Sequence, residues 1–224
     1  MKRFLFLAAA LMMTNAAFAQ ENNEGDKVEI SPAMQTLEMA GNLVQYGYDN
    51  YSATALAQAV ELYNSVTVKL ENIKKTSEGG VDTPKDQRIN LDVNALLADA
   101  RNFADGDEVT LAYIDKVEDA TNASNATLGR YDGPSETEEC VLSNSIDTYR
   151  VLFRGREDAG VLVVGDGDTD LDLYIYDENG NLVDSDTDST DVCVCSWRPY
   201  ETSYYTIKIR NWGNVRNYYT MYIP

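Results

Sequence analysis

The stretch that decides the fold is residues 165–181, which reads GDGDTDLDLYIYDENGN. Within it Leu171, Leu173 and Ile175 alternate with polar residues, and this period of two is typical of a strand with one face in a core. Asn179-Gly180 follows, a pair that favours a tight hairpin turn. The stretch therefore predicts a β-strand over 171–176 that ends in a turn.

Similar runs, rich in Val, Ile, Tyr and Thr, fill the chain from residue 138 to residue 224 and are separated by short turns. About six to eight short strands without helices in such a length predict an antiparallel β-sandwich. The strand-like runs are 149–153, 161–164, 171–176, 192–197, 204–210 and 218–223.

Residues 32–120 have a helical period instead. Leu56, Ala59, Val60 and Tyr63, for example, fall at i, i+3, i+4 and i+7, which places them on one helix face. We expect a four-helix bundle-like domain, followed by a linker over 121–137, and hence an α+β chain. The predicted helices are 34–49, 52–75, 93–105 and 108–119, with Ser52, Asp92 and Asp107 as N-caps.

The N-terminus has the pattern of a secretory signal peptide over residues 1–19. Lys2 and Arg3 precede an apolar run over 4–13, and Ala17-Phe18-Ala19 forms a small-x-small cleavage signature. We expect residues 20–31 to be disordered. No other run is apolar for long enough to span a bilayer. The sequence thus predicts an exported protein, periplasmic or secreted, without membrane insertion.

Composition excludes several function classes. The 224 residues include 37 Asp and Glu, 18 Lys and Arg and no His, for a net charge of −19. Without imidazole there is no Ser-His-Asp catalysis and no histidine-bound zinc. The excess of acid argues against a nucleic-acid partner, since phosphate binding needs clustered cations. An acidic chain suits divalent cations or basic partners, or simply stays soluble.

The acid is concentrated in one ribbon, residues 165–191, which holds ten acidic and no basic residues. Calcium takes six to eight oxygen ligands, and closely spaced carboxylates supply them. The alternative is a solvated acidic edge that deters strand pairing. A helix-loop-helix calcium loop is excluded because Leu171 stands where the turn needs glycine. The candidate calcium ligands are Asp166, Asp168, Asp170 and Asp172.

Tyr174 and Tyr176 share the strand face of Asp170 and Asp172, opposite the leucines. A polar face with aromatic rings is a candidate surface for sugars or peptides. The simpler alternative is the amphipathic outer face of a sheet.

The chain has three cysteines, which in an exported protein suggest one disulfide and one remaining thiol. Cys193 and Cys195 lie two apart on one strand face and are poorly placed to bond to each other. We expect Cys140 to pair with Cys193 or with Cys195.

Four motifs in order resemble the bacterial pre-peptidase C-terminal domain family over about residues 139–224. They are Asp147-Thr148-Tyr149-Arg150, the stretch 165–181, Ser196-Trp197-x-Pro199 and the run 217–222. The resemblance implies a jelly-roll-like β-sandwich that is not catalytic and occurs on exported proteins. Some members bind matrix proteins or polysaccharides, and some bind calcium.

In calcium-binding members the ligands come from an acidic stretch before the first strand and from the Asp of the Asp-x-Tyr motif. The resemblance carries these roles to Glu136, Glu138 and Asp147. This second candidate calcium site competes with the set at 166–172.

Together these features predict an exported, non-catalytic binding or accessory protein with a calcium-stabilised sandwich that contacts extracellular polysaccharide or protein. One alternative is a carboxylate-dependent secreted hydrolase, which would need two facing carboxylates in a cleft of the helical part. Another is a structural envelope protein that oligomerises through its helices.

Overall fold

The structure, a computed structural model, describes residues 28–83, 89, 91–125 and 133–224. The predicted signal peptide and residues 20–27 lie outside the described residues. The described chain combines four helices with two five-stranded sheets, so it is α+β with a sandwich-like layout, as the alternation of residue types predicts. No helix in the described ranges is long and apolar enough to cross a membrane.

The helices begin at the predicted caps. Ser52 Oγ accepts a hydrogen bond from Ala55 N, and Asp92 Oδ1 accepts from two backbone N–H groups of the next turn. These acceptors satisfy amides that have no partner within the helix. The helices are α1 (Pro32–Asp49), α2 (Ala53–Ser65), α3 (Val93–Phe103) and α4 (Glu108–Asn125).

The second helix ends ten residues before its predicted limit at 75. Val66 takes an extended conformation, with φ −107° and ψ 129°, and opens a β-branched run through Thr67 and Val68 that favours strand. The chain then forms β1 (Lys69–Leu70) and β2 (Lys75–Val81). The segment between α2 and α3 therefore contributes a strand to each sheet, which the helical period did not indicate.

The remaining strands contain all six predicted runs. Sheet A has the order β1-β3-β10-β5-β8 and sheet B the order β2-β4-β9-β6-β7. All pairings are antiparallel except that of β1 with β3. The strands are β3 (Ser135–Val141), β4 (Ser143–Phe153), β5 (Ala159–Gly165), β6 (Leu171–Tyr176), β7 (Leu182–Asp186), β8 (Val192–Trp197), β9 (Ser203–Asn211) and β10 (Asn217–Ile223).

The predicted linker over 121–137 is shorter than the sequence suggests. Its first five residues belong to α4, and residues 135–137 belong to β3. Residues 126–132 lie outside the described residues.

The sandwich core lies between the two sheets. Leu171, Leu173 and Ile175 are fully buried in it, which confirms the face predicted from the alternation. At one end the ring of Trp197 packs edge-on against Phe153, with centroids 4.7 Å apart. Edge-on packing of this kind adds to the stabilisation that burial alone provides.

Helix α1 covers the other face of sheet A. Its residues Met34 and Leu37 are buried against Leu162 and Val164 of β5. Gly41 permits this close approach, because a Cβ at that position would lie 3.0 Å from a Val164 methyl carbon. The helical part and the sandwich thus share a buried interface, rather than being separate units joined by a linker.

The last residues of the segment predicted to be disordered also pack against sheet A. Ile30 is buried in the same cluster as Leu37, and Ser196 Oγ of β8 donates a hydrogen bond to the Val28 carbonyl. The prediction of disorder over residues 20–31 is therefore wrong for Val28 and Ile30.

Candidate functional site

The outer face of sheet B presents aromatic and basic side chains together. Alternate residues of β4, β6 and β9 point away from the sandwich core, since side chains alternate along a strand. Trp212 follows directly on β9 and is 50% exposed. We call this surface the aromatic face. Its residues are Tyr174, Tyr176, Tyr204, Trp212, Arg150, Lys208 and Arg210.

The strand register brings these residues together. Tyr174 of β6 lies opposite Lys208 of β9, and Tyr176 lies opposite Thr206. On the other side of β9, Arg150 of β4 is the partner of the same Thr206. Side chains opposite one another on one sheet face lie close enough to interact. The face is therefore continuous across three strands.

Each of the three cations lies over an aromatic ring. The Arg210 guanidinium carbon is 3.3 Å from the ring centroid of Trp212, and Lys208 Nζ is 5.2 Å from that of Tyr176. Arg150 lies 3.9 Å from the centroid of Tyr204 in the same way. Cation–π contacts hold long basic side chains over the sheet and keep their donor groups at the surface.

Asp172 fixes two of the rings. Its Oδ2 accepts hydrogen bonds from Tyr174 OH at 2.7 Å and from Trp212 Nε1 at 2.5 Å. Burial, together with this hydrogen bond to Asp172, raises the pKa of Tyr174 to about 12, so the phenol stays neutral. The ring of Tyr176 stacks beside that of Tyr174, with centroids 6.5 Å apart and planes inclined by 26°. The outcome is a pair of nearly parallel rings, of which Tyr174 is oriented by its hydrogen bond to Asp172.

The sequence pointed to Tyr174 and Tyr176 as binding residues, and both lie on the aromatic face. It did not indicate Lys208, Arg210 or Trp212. The alternation within 204–210 places Lys208 and Arg210 on one face of their strand. Only the sheet order shows that this strand lies next to β6.

The acidic ribbon is largely an internal set of hydrogen-bond acceptors. Asp184 Oδ2 accepts from Ser196 N and Asp186 Oδ2 accepts from Val194 N, so the edge strand of sheet B satisfies amides on the edge strand of sheet A. The predicted solvated edge is therefore wrong for these residues. Their carboxylates occupy the backbone N–H groups of the edge strand β8, which also deters pairing of that strand with another chain.

The four aspartates proposed for calcium do not share one environment. Asp166 is fully buried and accepts from the backbone N–H groups of Asp168 and Tyr218, whereas Asp170 is exposed. Asp172 serves the aromatic face. Within the described ranges no three Asp, Glu or Cys side chains gather closely enough to hold a metal ion. Calcium binding stays a prediction.

A buried aspartate that the sequence did not single out lies beside Asp166. Asp191 Oδ2 accepts from Gly167 N at 2.6 Å and from Asn217 Nδ2 at 3.0 Å. Gly165 leaves room for this carboxylate, because a Cβ there would lie 2.3 Å from its oxygen. Burial above all, and then the charge of Asp166, raises the pKa of Asp191 to about 7.

This raised pKa predicts that the protein is more stable in mild acid. A carboxyl whose pKa is higher in the folded state than the unfolded value of about 3.9 adds stability below that value, which is lost as the pH rises through 7. Glu136, whose pKa burial and Glu138 raise to about 7, acts in the same direction. The free energy of unfolding should fall between pH 5 and pH 8, and in Asp191→Asn it should fall by about 2 kcal/mol less than in the original protein. Urea unfolding at the two pH values measures the difference.

Asp188→Asn is the matched control, because Asp188 is an exposed acid of the same ribbon. It should leave the pH dependence unchanged, and an equal effect of both variants would contradict the assignment. The same unfolding curves recorded with calcium and with a chelator check the calcium prediction, since a ligand of the folded state raises the midpoint. Equal midpoints would count against it.

The second proposed calcium set is divided between the two sides of sheet A. Asp147 is buried toward the sandwich core, where Lys75 Nζ lies 2.7 Å from its Oδ2 and Tyr219 OH donates to the same oxygen at 2.9 Å. Glu136 is paired with Tyr222, which packs on the side that α1 covers. Glu138 shares that side by strand alternation. The structure therefore does not bring Asp147 together with Glu136 and Glu138.

The predicted disulfide is wrong, since Cys140 forms no disulfide with Cys193 or with Cys195. Cys193 and Cys195 point into the sandwich core. On β3 it is Val141 that points into this core, so the adjacent Cys140 faces the other side of sheet A. Three strand spacings of about 4.8 Å separate β3 from β8 in sheet A. A disulfide needs Cα atoms less than about 7 Å apart. The sheet order that sets this distance cannot be read from cysteine spacing.

Two concave regions bear on the hydrolase alternative. A cleft of about 760 Å³ opens at one end of the sandwich, and its acids Glu71, Glu157 and Asp158 lie in surface ion pairs with Lys69, Arg154 and Arg198 respectively. A shallow depression of about 210 Å³ between α2 and α4 contains, among its described residues, one carboxylate, that of Glu61. Neither arrangement has the facing carboxylates that glycoside hydrolysis uses.

No protein-family model matches the chain, and no curated protein matches its sequence. Among solved structures, the chain is similar to the pre-peptidase C-terminal domain of collagenase from Bacillus anthracis. The match covers 43% of this chain and 100% of that one, with 8% sequence identity and a TM-score of 0.36. A likeness at this level does not identify a family or a function. The best indication of function is therefore the aromatic face.

Proposed function

We propose that the protein is an exported, non-catalytic binding module that holds extracellular polysaccharide on the aromatic face of sheet B. The observation that carries the proposal is the pair Tyr174 and Tyr176, whose nearly parallel rings lie on the outer face of sheet B beside Trp212. The C–H faces of sugar rings pack against aromatic rings, and hydroxyl groups accept hydrogen bonds from side chains at the edge of the contact. An open, flat face suits a polymer that extends beyond the protein on both sides.

The rigidity of the face supports this function. A surface that is already ordered loses less conformational entropy when it binds, so more of the contact energy appears as affinity. Asp172 orients Tyr174 and Trp212, and Lys208 lies over Tyr176. The rings are thus positioned before any ligand arrives.

The interior of the helical part favours a binding protein over the alternative of a carboxylate-dependent hydrolase. In the described residues α2 packs against the other three helices around an apolar core, which includes Leu56, Leu96 and Ile114. Such a core offers no desolvated pair of carboxylates to act as acid and base. Contacts with protein, the other partner class suggested by the sequence, are an outcome of the binding experiments.

Truncation of the rings should weaken binding strongly. We expect Tyr176→Ala or Trp212→Ala to lower affinity for a bound polysaccharide by about thirtyfold, equivalent to about 2 kcal/mol, as at other aromatic hot spots. Affinity electrophoresis of the full chain through gels that contain different soluble polysaccharides measures the change.

Tyr46→Ala is the matched control, because Tyr46 on α1 is 56% exposed and far from sheet B in the fold. It should migrate like the original protein. Retardation that survives Tyr176→Ala and Trp212→Ala but is lost in Tyr46→Ala would place the binding surface on the helices and contradict the proposal. Unfolding midpoints of all three variants confirm that each is folded.

A further inference from the structure

We infer that the polysaccharide bound by the aromatic face is acidic and carries carboxylate groups, as a polyuronate does. This inference rests on the proposed function and adds the chemical class of the ligand. Its basis is the set of three cations, Arg150, Lys208 and Arg210, that lie among the rings of a chain whose net charge is −19.

The ion pairing of these cations differs from that of other basic residues. Within the part of the chain that the structure describes, no Asp or Glu oxygen lies within ion-pair distance of Arg150, Lys208 or Arg210. By contrast, Arg101 and Arg198 elsewhere on the surface each pair with an acid. The donor groups of the aromatic face are therefore available to an incoming anion, and guanidinium and ammonium groups form strong hydrogen bonds with carboxylates.

The nearest strand rich in acid turns its charge away from the face. Tyr174 lies opposite Ser185 of β7, while the flanking Asp184 and Asp186 accept hydrogen bonds from amides of β8. The carboxylates of β7 therefore do not compete for the cations.

Other acids lie nearer to the cations. Glu157 and Asp158 line the same cleft as Arg150, but they pair with Arg154 and Arg198. Asp172 is buried and bonded to two rings, and Glu78 lies on the far strand β2, opposite Ile146. Asp170 lies just before β6 begins, beside the end of the face that Trp212 occupies. The centre of the face, around Lys208 and Tyr176, is thus left to an incoming carboxylate.

The spacing of the cations matches a ligand with repeated charge. Lys208 and Arg210 are alternate residues of β9, about 7 Å apart along the strand. Arg150 lies diagonally across from Lys208, about 7–8 Å away, and is farther from Arg210. A sugar that contacts Tyr176 would bring a substituent carboxylate within reach of Lys208, whose Nζ lies 5.2 Å from the centroid of that ring. Neighbouring uronates would then meet Arg150 or Arg210.

The acidic residues elsewhere on the chain do not prevent an anionic polymer from binding to the aromatic face. At an ionic strength of about 0.15 M the Debye length is about 8 Å, so charges on α3, α4 and the far side of the sandwich are largely screened from the face. The same screening should weaken the contact of exposed cations with a polyanion. Binding that depends on the three cations is therefore expected to fall as salt is added.

The test compares sodium polygalacturonate with the same polymer after its carboxylates have been reduced to alcohols. The full chain, immobilised for biolayer interferometry, should bind polygalacturonate at least about tenfold more tightly than the reduced polymer, because charge-assisted hydrogen bonds are lost. Lys208→Gln/Arg210→Gln should abolish this preference and keep weak binding to the reduced polymer. Lys69→Gln/Lys116→Gln, which removes two exposed cations away from the face, should behave like the original protein.

The outcomes separate the inference from the proposed function. Equal binding of both polymers, lost in Tyr176→Ala, would overturn the inference and leave a binder of neutral polysaccharide. Binding of neither polymer would overturn both. Binding of poly-L-glutamate as tight as that of polygalacturonate, and unchanged in Tyr176→Ala, would identify an acidic protein as the partner and overturn the inference.

Discussion

Replacement of Lys75 by methionine should lower the free energy of unfolding by about 3–5 kcal/mol, because it leaves the Asp147 carboxylate buried without its cation. Asp147 is 1% exposed, and Lys75 Nζ lies 2.7 Å from its Oδ2. The same ammonium group lies 2.9 Å from Glu139 Oε2 and donates to the Cys140 carbonyl at 2.7 Å. Burial lowers the pKa of Lys75, but the bonds to Asp147 and Glu139 outweigh it and hold that pKa above its ordinary value.

Urea unfolding of three variants measures the effect. Lys74→Met is the matched control, since Lys74 is exposed and should change stability by less than about 0.5 kcal/mol. Lys75→Met/Asp147→Asn should recover part of the loss, because it buries no charge and the amide oxygen can still accept from Ser77 or from Tyr219, which bond to different oxygens of Asp147. Equal stability of Lys74→Met and Lys75→Met, or a double variant that is weaker than Lys75→Met, would contradict this account.

The consequence for the fold is that β2 is held to β4 by the ion pair of Lys75 with Asp147 as well as by backbone hydrogen bonds. Lys75 and Ser77 both reach the Asp147 carboxylate from β2, a strand that comes from the segment between two helices. Loss of Lys75 should therefore loosen the connection between the helical part and sheet B. Sheet B carries the aromatic face, so its stability bears on the proposed function.

Leu37→Ala should destabilise the helices and the sandwich together, by about 2–5 kcal/mol. Leu37 is 1% exposed at the contact of α1 with sheet A, where it packs in one cluster with Leu162, Val164 and Val192. The alanine would leave a cavity that both parts line. Because both parts lose contacts, their unfolding should remain a single transition.

Two spectroscopic signals distinguish unfolding of the sandwich from unfolding of the helices. Both tryptophans, Trp197 and Trp212, lie in the sandwich, so their fluorescence reports on it, while circular dichroism at 222 nm reports mainly on the helices. Their urea midpoints should coincide and shift equally in Leu37→Ala. Met39→Ala, at a position of α1 that is 58% exposed, is the control and should shift neither. A dichroism midpoint that moves while the fluorescence midpoint holds would show two independent domains.

Local patterns predicted individual elements well where one face is buried. The alternation of Leu171, Leu173 and Ile175 defined a strand with its core face, and Ser52 and Asp92 marked helix starts. Prediction failed where the helical period ran on into residues 66–75. The β-branched residues there favour extended backbone. The two strands that follow, β1 and β2, form because they pair with β3 and β4 respectively.

Two of the seven residues of the aromatic face could be predicted in the same way. Tyr174 and Tyr176 were placed on an outer face by alternation, but their neighbours Lys208 and Arg210 lie more than thirty residues away in sequence. Of the acids of the ribbon, alternation placed Asp172 on the outer face of its strand, but β7, which carries Asp184 and Asp186, was not among the predicted runs. What the acids of the ribbon bond to depends on β8 and β10, which lie beside them only in the folded chain.

The sequence by itself determined the composition, the strand faces, the helix caps and the concentration of acid in residues 165–191, because each of these depends on neighbours along the chain. The tertiary structure decided the rest. It placed β9 beside β6 and so made the aromatic face, separated Cys140 from Cys193 by three strand spacings, and turned carboxylates such as Asp191 from surface charge into buried acceptors. The physical reason is that sheet order sets which distant residues meet, and the alternation within a strand specifies its buried face but not its neighbouring strand.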